Sequence, residues 1–147
     1  MRHPLIEKAI WLYWESGLSL VPINAKTKRP YGRLLPQARN EKGEPLFYRN
    51  AEDGSLIVTT ENTGSPKGTW EPYQRNRPTG DEVRHWINSG VSSIAAIGGP
   101  VSGGLEILDF DVDGYFDEWA ALTREEGEML PMQRTGGGGI QLAWRCP

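Results

Sequence analysis

The sequence has 147 residues and a formal net charge of −3, with 16 lysines and arginines against 19 carboxylates. A chain of this length is expected to form one ordinary domain, and its charge balance excludes the global basic excess of many nucleic-acid-binding proteins. The single cysteine, Cys146, excludes an internal disulfide and a zinc site built on several thiolates, so we expect a reducing, cytoplasmic setting. No apolar run approaches the ~20 residues of a membrane-spanning helix, and the charged N-terminus is unlike a signal peptide.

The first half of the chain alternates helical and strand patterns. Apolar residues at spacings of three and four predict an amphipathic helix over 4–17, and the apolar segment 18–22 predicts a short strand. Residues 38–69 are rich in Gly, Asn, Glu, Lys and Pro, and they contain two strand-like pieces separated by Asp53-Gly54, a dipeptide typical of hairpin turns. We therefore expect a hairpin-like surface insert at about 38–69.

A capped helix and further strands follow. Thr79, with Glu82 three residues later, forms the capping-box pattern at the start of a helix that reaches Ile87. The other predicted elements are a strand over 93–97, an apolar strand ending at Asp109 and Asp111, a helix over 116–129 and a strand over 140–144. This order predicts an α+β fold, with a mixed or mostly antiparallel sheet and helices packed on it.

The segment 103–114 carries the clearest chemical signal. It brings Asp109 and Asp111 to the end of an apolar strand, and residues spaced i, i+2 on a strand point to the same face. Two carboxylates held this close repel each other, and a hard divalent cation such as Mg²⁺ or Mn²⁺ relieves that repulsion. The pair predicts a metal site for phosphate chemistry. Asp113, which has the same strand parity, could assist this site or simply cap the turn. We also expect burial of the neighbouring apolar side chains to place this strand at the centre of its sheet.

Two other interpretations of residues 109–114 are open. The pattern matches the first half of a calcium-binding EF-hand loop, but the twelfth position holds Ala120 instead of glutamate, and Gly103 and Gly104 precede the motif where a helix should enter. The segment could also be a polar strand end running into a turn, where aspartate and glycine are common and no ligand is needed.

Two further segments are weaker candidates for phosphate contact. The glycine run at 136–139 allows backbone N–H groups to approach a phosphate, and Arg134 beside it can supply a charge. The run lacks the Lys-Ser/Thr of a P-loop, and a flexible linker has the same composition. Lys26, Lys28 and Arg29 form a basic loop, although such loops are more often only solvated surface.

Taken in order, these segments resemble the N-terminal prim-pol domain of bifunctional DNA primase/polymerases, in the archaeo-eukaryotic primase superfamily. The matching landmarks span nearly the whole chain in the expected order. They are the opening helix followed by Gly17-Leu-Ser-Leu-Val-Pro22, the Lys28-Arg29-Pro30 turn, Trp70-Glu-Pro-Tyr-Gln74, Pro78-Thr79 before the helix with Trp86, Ile94-Ala-Ala-Ile-Gly98, Ser102-Gly103-Gly104-Leu-Glu-Ile-Leu-Asp109-Phe-Asp111, and Thr135 with the Gly-rich strand.

The resemblance implies a function and a fold. It implies an RRM-like primase-polymerase core, only partly present, in which Asp109 and Asp111 are the catalytic metal ligands for Mg²⁺ or Mn²⁺. The implied reaction is nucleotidyl transfer from (d)NTPs onto a primer or an initiating nucleotide, on a single-stranded DNA template. The implied setting is phage- or plasmid-type replication of a mobile element, with a fused or separate helicase as a further partner.

The family's second motif is a Gly-Gly-x-His strand whose histidine contacts the phosphates of the incoming nucleotide. By this resemblance, Gly138, Gly139 and Gln141 form the nucleotide-binding set together with Arg134. The histidine position holds Gln141, which can donate a hydrogen bond to phosphate but carries no positive charge.

The family's third motif carries another acidic metal ligand and is absent before Pro147. The prim-pol-like domain at 1–147 is therefore expected to be incomplete at its C-terminal end. Together with Gln141, this departure keeps open the alternative of a degenerate, catalytically inactive module that binds nucleic acid or protein. A calcium-binding domain is the third alternative.

Overall fold

A computed structural model describes residues 4–112, 114–123, 130–135 and 137–146. The chain forms two compact units, Met1–Ile97 and Gly98–Pro147. Over the described residues the units contain three α-helices and three small antiparallel sheets, which confirms the predicted α+β class. Within these ranges no helix combines the length and apolar character needed to cross a bilayer.

The first unit contains two of the helices and two of the sheets. Its elements are α1 (Pro4–Glu15), β1 (Ser19–Asn24), β2 (Arg29–Pro30), β3 (Phe47–Asn50), β4 (Leu56–Thr59), β5 (Ser65–Pro66), α2 (Gly80–Asn88) and β6 (Ser93–Ile97), with short 3-10 helices at Gly32–Leu34 and Glu71–Gln74. One sheet has the strand order β2-β1-β6 and the other β4-β3-β5. The helix and strand predicted over 4–17 and 18–22 are present, with ends that differ by one or two residues.

The core of the first unit is built from side chains of α1, β1 and α2 and the segments around them. Its buried members are Ile10, Leu20, Val21, Tyr73, Val83, Trp86, Ile87 and Val91. Trp86, the largest of them, donates its indole N–H to the carbonyl of Leu34 at 3.1 Å. This bond satisfies the one polar group of the buried ring.

The stretch 38–69 contains an antiparallel hairpin formed by β3 and β4. Its turn passes through Asp53-Gly54, where Asp53 accepts a hydrogen bond from the backbone N–H of Ser55 at 2.9 Å. Phe47 is buried at the base of the hairpin, whereas Leu56 is largely exposed.

The second unit contains α3 (Tyr115–Leu122) and the strands β7 (Leu105–Phe110), β8 (Met132–Arg134) and β9 (Ile140–Arg145). The strand order is β7-β9-β8, so the prediction that β7 lies at the centre of its sheet is wrong for the described residues. The β8–β9 hairpin inserts β9 between the other two strands, and Ile107 on β7 stays 45% exposed. Of the helix predicted over 116–129, the part 124–129 lies outside the described residues.

The predicted capping box at the start of α2 is confirmed. The Glu82 backbone N–H donates to Thr79 Oγ1 at 3.2 Å, and Glu82 Oε2 accepts from the Thr79 N–H at 2.7 Å. The Tyr73 hydroxyl donates to Glu82 Oε1 at 2.7 Å. Burial raises the pKa of Glu82, but the hydrogen bonds from Thr79 and Tyr73 together outweigh burial, so its pKa lies below the ordinary 4.5.

Glu82→Gln should lower the free energy of unfolding near neutral pH, because a neutral amide accepts weaker hydrogen bonds than a carboxylate. The folded-state pKa is depressed, so the carboxylate's contribution is fully present above pH 4.5 and is lost as the pH falls through the folded-state pKa. The difference in urea midpoint between wild type and Glu82→Gln should therefore become smaller as the pH is lowered from about 6.5 to about 3. Glu52→Gln, an exposed carboxylate in the β3–β4 turn, is the matched control. A gap for Glu82→Gln that is the same at both pH values would contradict the role assigned to this carboxylate.

Candidate active site

The two acidic residues predicted to bind metal lie at the C-terminal end of β7. Asp109 is within the strand and Asp111 follows its last residue, Phe110. Alternation along the strand places both carboxylates on the same face, and both residues are exposed to solvent. This face of the strand therefore exposes two carboxylates to solvent and to ligands.

Aromatic packing anchors the end of β7 on the opposite face. The ring of Phe110 lies 5.5 Å from the ring of Phe116 and 5.6 Å from that of Trp119, and the last two rings are 6.1 Å apart. Phe116 and Trp119 both belong to α3, so the three rings hold the start of this helix against the strand end. Such ring pairs contribute about 0.5–1.5 kcal/mol each beyond their buried area. This packing limits how far the segment that carries Asp111 can move.

A row of amide and carboxylate side chains crosses the three strands of the second unit. Gln141 on β9 is the register partner of both Asp109 on β7 and Gln133 on β8. Gln141 Nε2 donates to Asp109 Oδ2 at 3.0 Å, and Gln133 Nε2 donates to Gln141 Oε1 at 2.8 Å. The row fixes the direction of the Gln141 amide and leaves the other Asp109 oxygen, Oδ1, outside it.

Gln133 was missed by sequence reasoning. Its strand, β8, has only three residues, all of them exposed, and so it shows no alternation of apolar and polar side chains. The glycine run could have indicated this strand. A glycine-rich turn followed by an apolar strand is typical of a hairpin, so a short strand is expected before the turn.

Gly139 lies where the β8–β9 turn approaches the segment of Phe110 and Asp111. A methyl group on Gly139 would lie 2.8 Å from the carbonyl oxygen of Phe110, 3.0 Å from Asp111 Oδ1 and 3.1 Å from Thr135 Oγ1. Three oxygens thus converge on a position that only glycine leaves open. The close approach brings the Asp111 carboxylate against the β8–β9 turn.

The remaining predicted site residues lie on this turn or beside it. The Thr135 N–H donates to the Gly139 carbonyl at 2.8 Å, and the Gly138 N–H donates to the Thr135 carbonyl at 3.0 Å. The Gly138 N–H is therefore used inside the turn and is not directed to a ligand. Arg134 pairs with Ile140, one position away from the Gln133–Gln141 pair. Its side chain is thus on the opposite face of the sheet from Asp109.

The donor set of this face fits a hard divalent cation. Among the described residues no group of three or more His, Cys, Asp or Glu side chains is close enough to hold a metal ion. Mg²⁺, however, is commonly bound through one or two carboxylates, with water and substrate phosphate as its other ligands. Two exposed carboxylates on one strand face meet that requirement. Asp113 lies outside the described residues.

Comparison with known proteins identifies the family. A family model described as bifunctional DNA primase/polymerase, N-terminal, matches residues 10–147, nearly the whole chain. The chain therefore belongs to the Prim-Pol family, as the order of its landmarks indicated. Membership supports a function of the DNA primase/polymerase type, with DNA and nucleotides as substrates. A search of curated proteins found no match.

The substitution Gly139→Ala should destabilise the second unit, because the added methyl group meets a backbone carbonyl at 2.8 Å that cannot move without shifting β7. We expect a loss of about 1–3 kcal/mol in the free energy of unfolding, the range typical of overpacking. Gly137→Ala is the matched control in the same turn, since a methyl group there would meet nothing within 4 Å. Denaturant unfolding of both variants measures the difference. Equal stability of the two variants would contradict the close approach.

Proposed function

We propose that the face carrying Asp109 and Asp111 is the nucleotidyl-transfer site of this Prim-Pol domain. In this proposal, the domain transfers nucleotides from (d)NTPs onto a nucleic-acid primer or an initiating nucleotide. The observation that supports it most is the placement of both carboxylates on one exposed strand face, next to the amide row of Gln141 and Gln133. Family membership supplies the class of reaction.

The two carboxylates would hold Mg²⁺ or Mn²⁺ in this site. When bound, a divalent cation activates the primer 3′ oxygen and offsets negative charge on the leaving pyrophosphate. Asp109 and Asp111 would supply the hard oxygen atoms that such a cation prefers, and the cation would relieve the repulsion between the two carboxylates. The packing of Phe110 against Phe116 and Trp119 fixes the strand end that carries the two carboxylates. Less conformational entropy of this segment is then lost when a ligand binds.

Gln141 has a positioning role in this proposal. Its amide N–H donates a hydrogen bond to Asp109 Oδ2, and its amide oxygen accepts one from Gln133. The Asp109 carboxylate is therefore oriented before a ligand binds. An amide nitrogen has a second N–H, which Gln141 can direct to a phosphate oxygen. Gly139 keeps the turn close to Asp111 without a side chain in the way. Arg134 is not assigned to this face, because the register places it on the other side of the sheet.

A second candidate function is a binding module without catalytic activity. One observation favours it: Gln141 is neutral, and its amide makes hydrogen bonds within the protein to Asp109 and Gln133. A neutral side chain that already donates one N–H to Asp109 stabilises a triphosphate less than a cation does. The experiment below distinguishes the two functions.

We expect the chain to bind a fluorescent deoxynucleoside triphosphate in the presence of Mn²⁺, and EDTA to abolish that binding. Asp109→Asn/Asp111→Asn should weaken it at least about tenfold, since even groups that only support a metal ligand contribute about 10–100-fold to metal affinity. The matched control is Glu106→Gln/Glu118→Gln, which removes two exposed carboxylates from the same unit. Fluorescence anisotropy titrations at equal ionic strength measure all three proteins.

Three results are decisive for the proposal. Loss of binding in the aspartate variant but not in the control supports the site, and primer extension with the same proteins then tests transfer itself. Equal loss in both variants would mean that general charge, not this face, governs binding. If the folded wild-type chain does not bind nucleotide with Mn²⁺ at all, the catalytic proposal fails and the binding-module function replaces it.

A further inference from the structure

The positive charge of the chain is concentrated in one stretch of the first unit. Residues 16–40 contain no carboxylate but five cations: Lys26, Lys28, Arg29, Arg33 and Arg39. The first unit as a whole has 13 lysines and arginines against 10 carboxylates, whereas the second has 3 against 9. The chain is acidic overall because of its second unit.

The cations of this stretch are exposed and have no carboxylate partners in the described part of the chain. All five residues are exposed to solvent. The two ion pairs found among the described residues join Arg49 to Glu61 and Arg84 to Asp81, and neither involves this stretch. Because no carboxylate of the described residues forms an ion pair with them, these cations can interact with an anion from solution.

Three of the cations lie on a turn that is fixed by its own hydrogen bonds. Asn24 Oδ1 accepts from the backbone N–H of Lys26 at 3.0 Å and of Thr27 at 3.3 Å, and the Asn24 carbonyl accepts from the N–H of Lys28 at 2.8 Å. Lys28 has a φ of 56°, in the left-handed region that residues other than glycine seldom occupy. The turn therefore holds Lys28 in a backbone conformation that a free peptide would rarely adopt.

Aromatic side chains lie beside this turn. The Arg33 guanidinium lies over the ring of Tyr31, 5.2 Å from its centre. The backbone at Gly68 packs so tightly on Gly32 that a methyl group on Gly68 would overlap the Gly32 carbonyl oxygen. This contact places Gly68, two residues before Trp70, against Gly32, which lies between Tyr31 and Arg33 in the sequence; Trp70 itself is 37% exposed.

We infer that this surface, the basic turn formed by Lys26, Lys28, Arg29 and Arg33, binds the phosphates of a single-stranded nucleic acid, with Trp70 stacking on a base. Cations that follow a backbone beside an exposed aromatic ring are the combination by which proteins hold single strands. A membrane surface or a folded acidic protein would use the charges but would give Trp70 no base to stack on. The inference deepens the proposed function and rests on it for identifying the strand as DNA.

Binding of a fluorescein-labelled oligothymidylate, in EDTA and without nucleotide, tests the inference separately from catalysis. Lys26→Gln/Lys28→Asn/Arg29→Gln removes three charges, and asparagine at position 28 tolerates the left-handed backbone. The matched control, Lys8→Gln/Lys42→Gln/Arg75→Gln, removes three exposed charges elsewhere in the same unit. We expect the turn variant to bind at least about tenfold more weakly, and the control within about threefold of wild type. The slope of log K against log salt should fall by about 2 in the turn variant only, since each neutralised single-strand phosphate contributes about 0.7.

Trp70→Ala separates stacking from charge. It should weaken binding of the oligothymidylate about fivefold or more, because stacking of one base contributes about 1–3 kcal/mol. It should leave binding of a polyphosphate of equal charge unchanged.

The inference is overturned if the turn variant and the control lose affinity equally, or if Trp70→Ala affects DNA and polyphosphate alike. Far-ultraviolet circular dichroism and thermal unfolding show whether each variant is folded. Because the assay contains neither metal nor nucleotide, Asp109→Asn/Asp111→Asn should bind the strand as well as wild type. A wild-type chain that binds the strand but does not bind nucleotide with Mn²⁺ would overturn the proposed function alone. A wild-type chain that binds nucleotide but not the strand would overturn this inference alone.

Discussion

The pairing of β7 with β9 is the interaction on which the candidate site depends. It runs without interruption from Leu105 opposite Arg145 to Phe110 opposite Ile140. A slip of one residue would move every side chain of β9 to the other face of the sheet, so that an aliphatic residue would replace Gln141 beside Asp109. Leu142 and Leu108 pair on the opposite face, and Leu142 is only 1% exposed. Burial of that leucine therefore fixes the register that gives Asp109 its amide partner.

The site combines a rigid support with an exposed, repulsive pair of charges. The rings of Phe110, Phe116 and Trp119 stabilise one face of the strand end, and in the described part of the chain no ring packing of this kind covers the other face. Both carboxylates are exposed on that face, and like charges on one strand face repel each other. Neither ion pair found among the described residues involves these carboxylates, so in the proposed function a ligand that supplies positive charge stabilises the folded protein. Gln141 donates a hydrogen bond to Asp109, and in the proposed function Asp111 is left for the ligand.

Much of the fold could be predicted because its signals are local. The capping box of α2 involves only Thr79 and Glu82, which are three residues apart, and the β3–β4 turn is specified by Asp53-Gly54. The shared face of Asp109 and Asp111 also follows from strand geometry alone. Each of these features depends on residues that are close in sequence, so each could be identified without knowledge of the tertiary structure.

The features that could not be predicted depend on contacts between distant residues. The position of β7 at an edge of its described sheet results from the insertion of β9, and the apolar run of β7 by itself suggested a central strand. The contact of Gln133 with Gln141, and the placement of Arg134 on the other face, follow from the register of the β8–β9 hairpin. Gln133 and Arg134 are neighbours in the sequence, but only Gln133 lies on the face of Asp109. Which of the two does so is decided by the strand register, which composition and spacing do not encode.

The distribution of charge explains how an acidic chain can serve a polyanionic substrate. At physiological salt, interactions between exposed charges are largely screened beyond about 8 Å, so the residues nearest to a phosphate matter more than the net charge of −3. In the proposed scheme, the carboxylate-free stretch around Lys28 attracts a strand without metal, whereas the face with Asp109 repels phosphate until a cation is bound. Binding of the strand and binding of the nucleotide would then depend differently on metal. In this scheme the strand binds without metal and the nucleotide binds only with metal. The acidic face would therefore not bind nucleic acid before the cation is present.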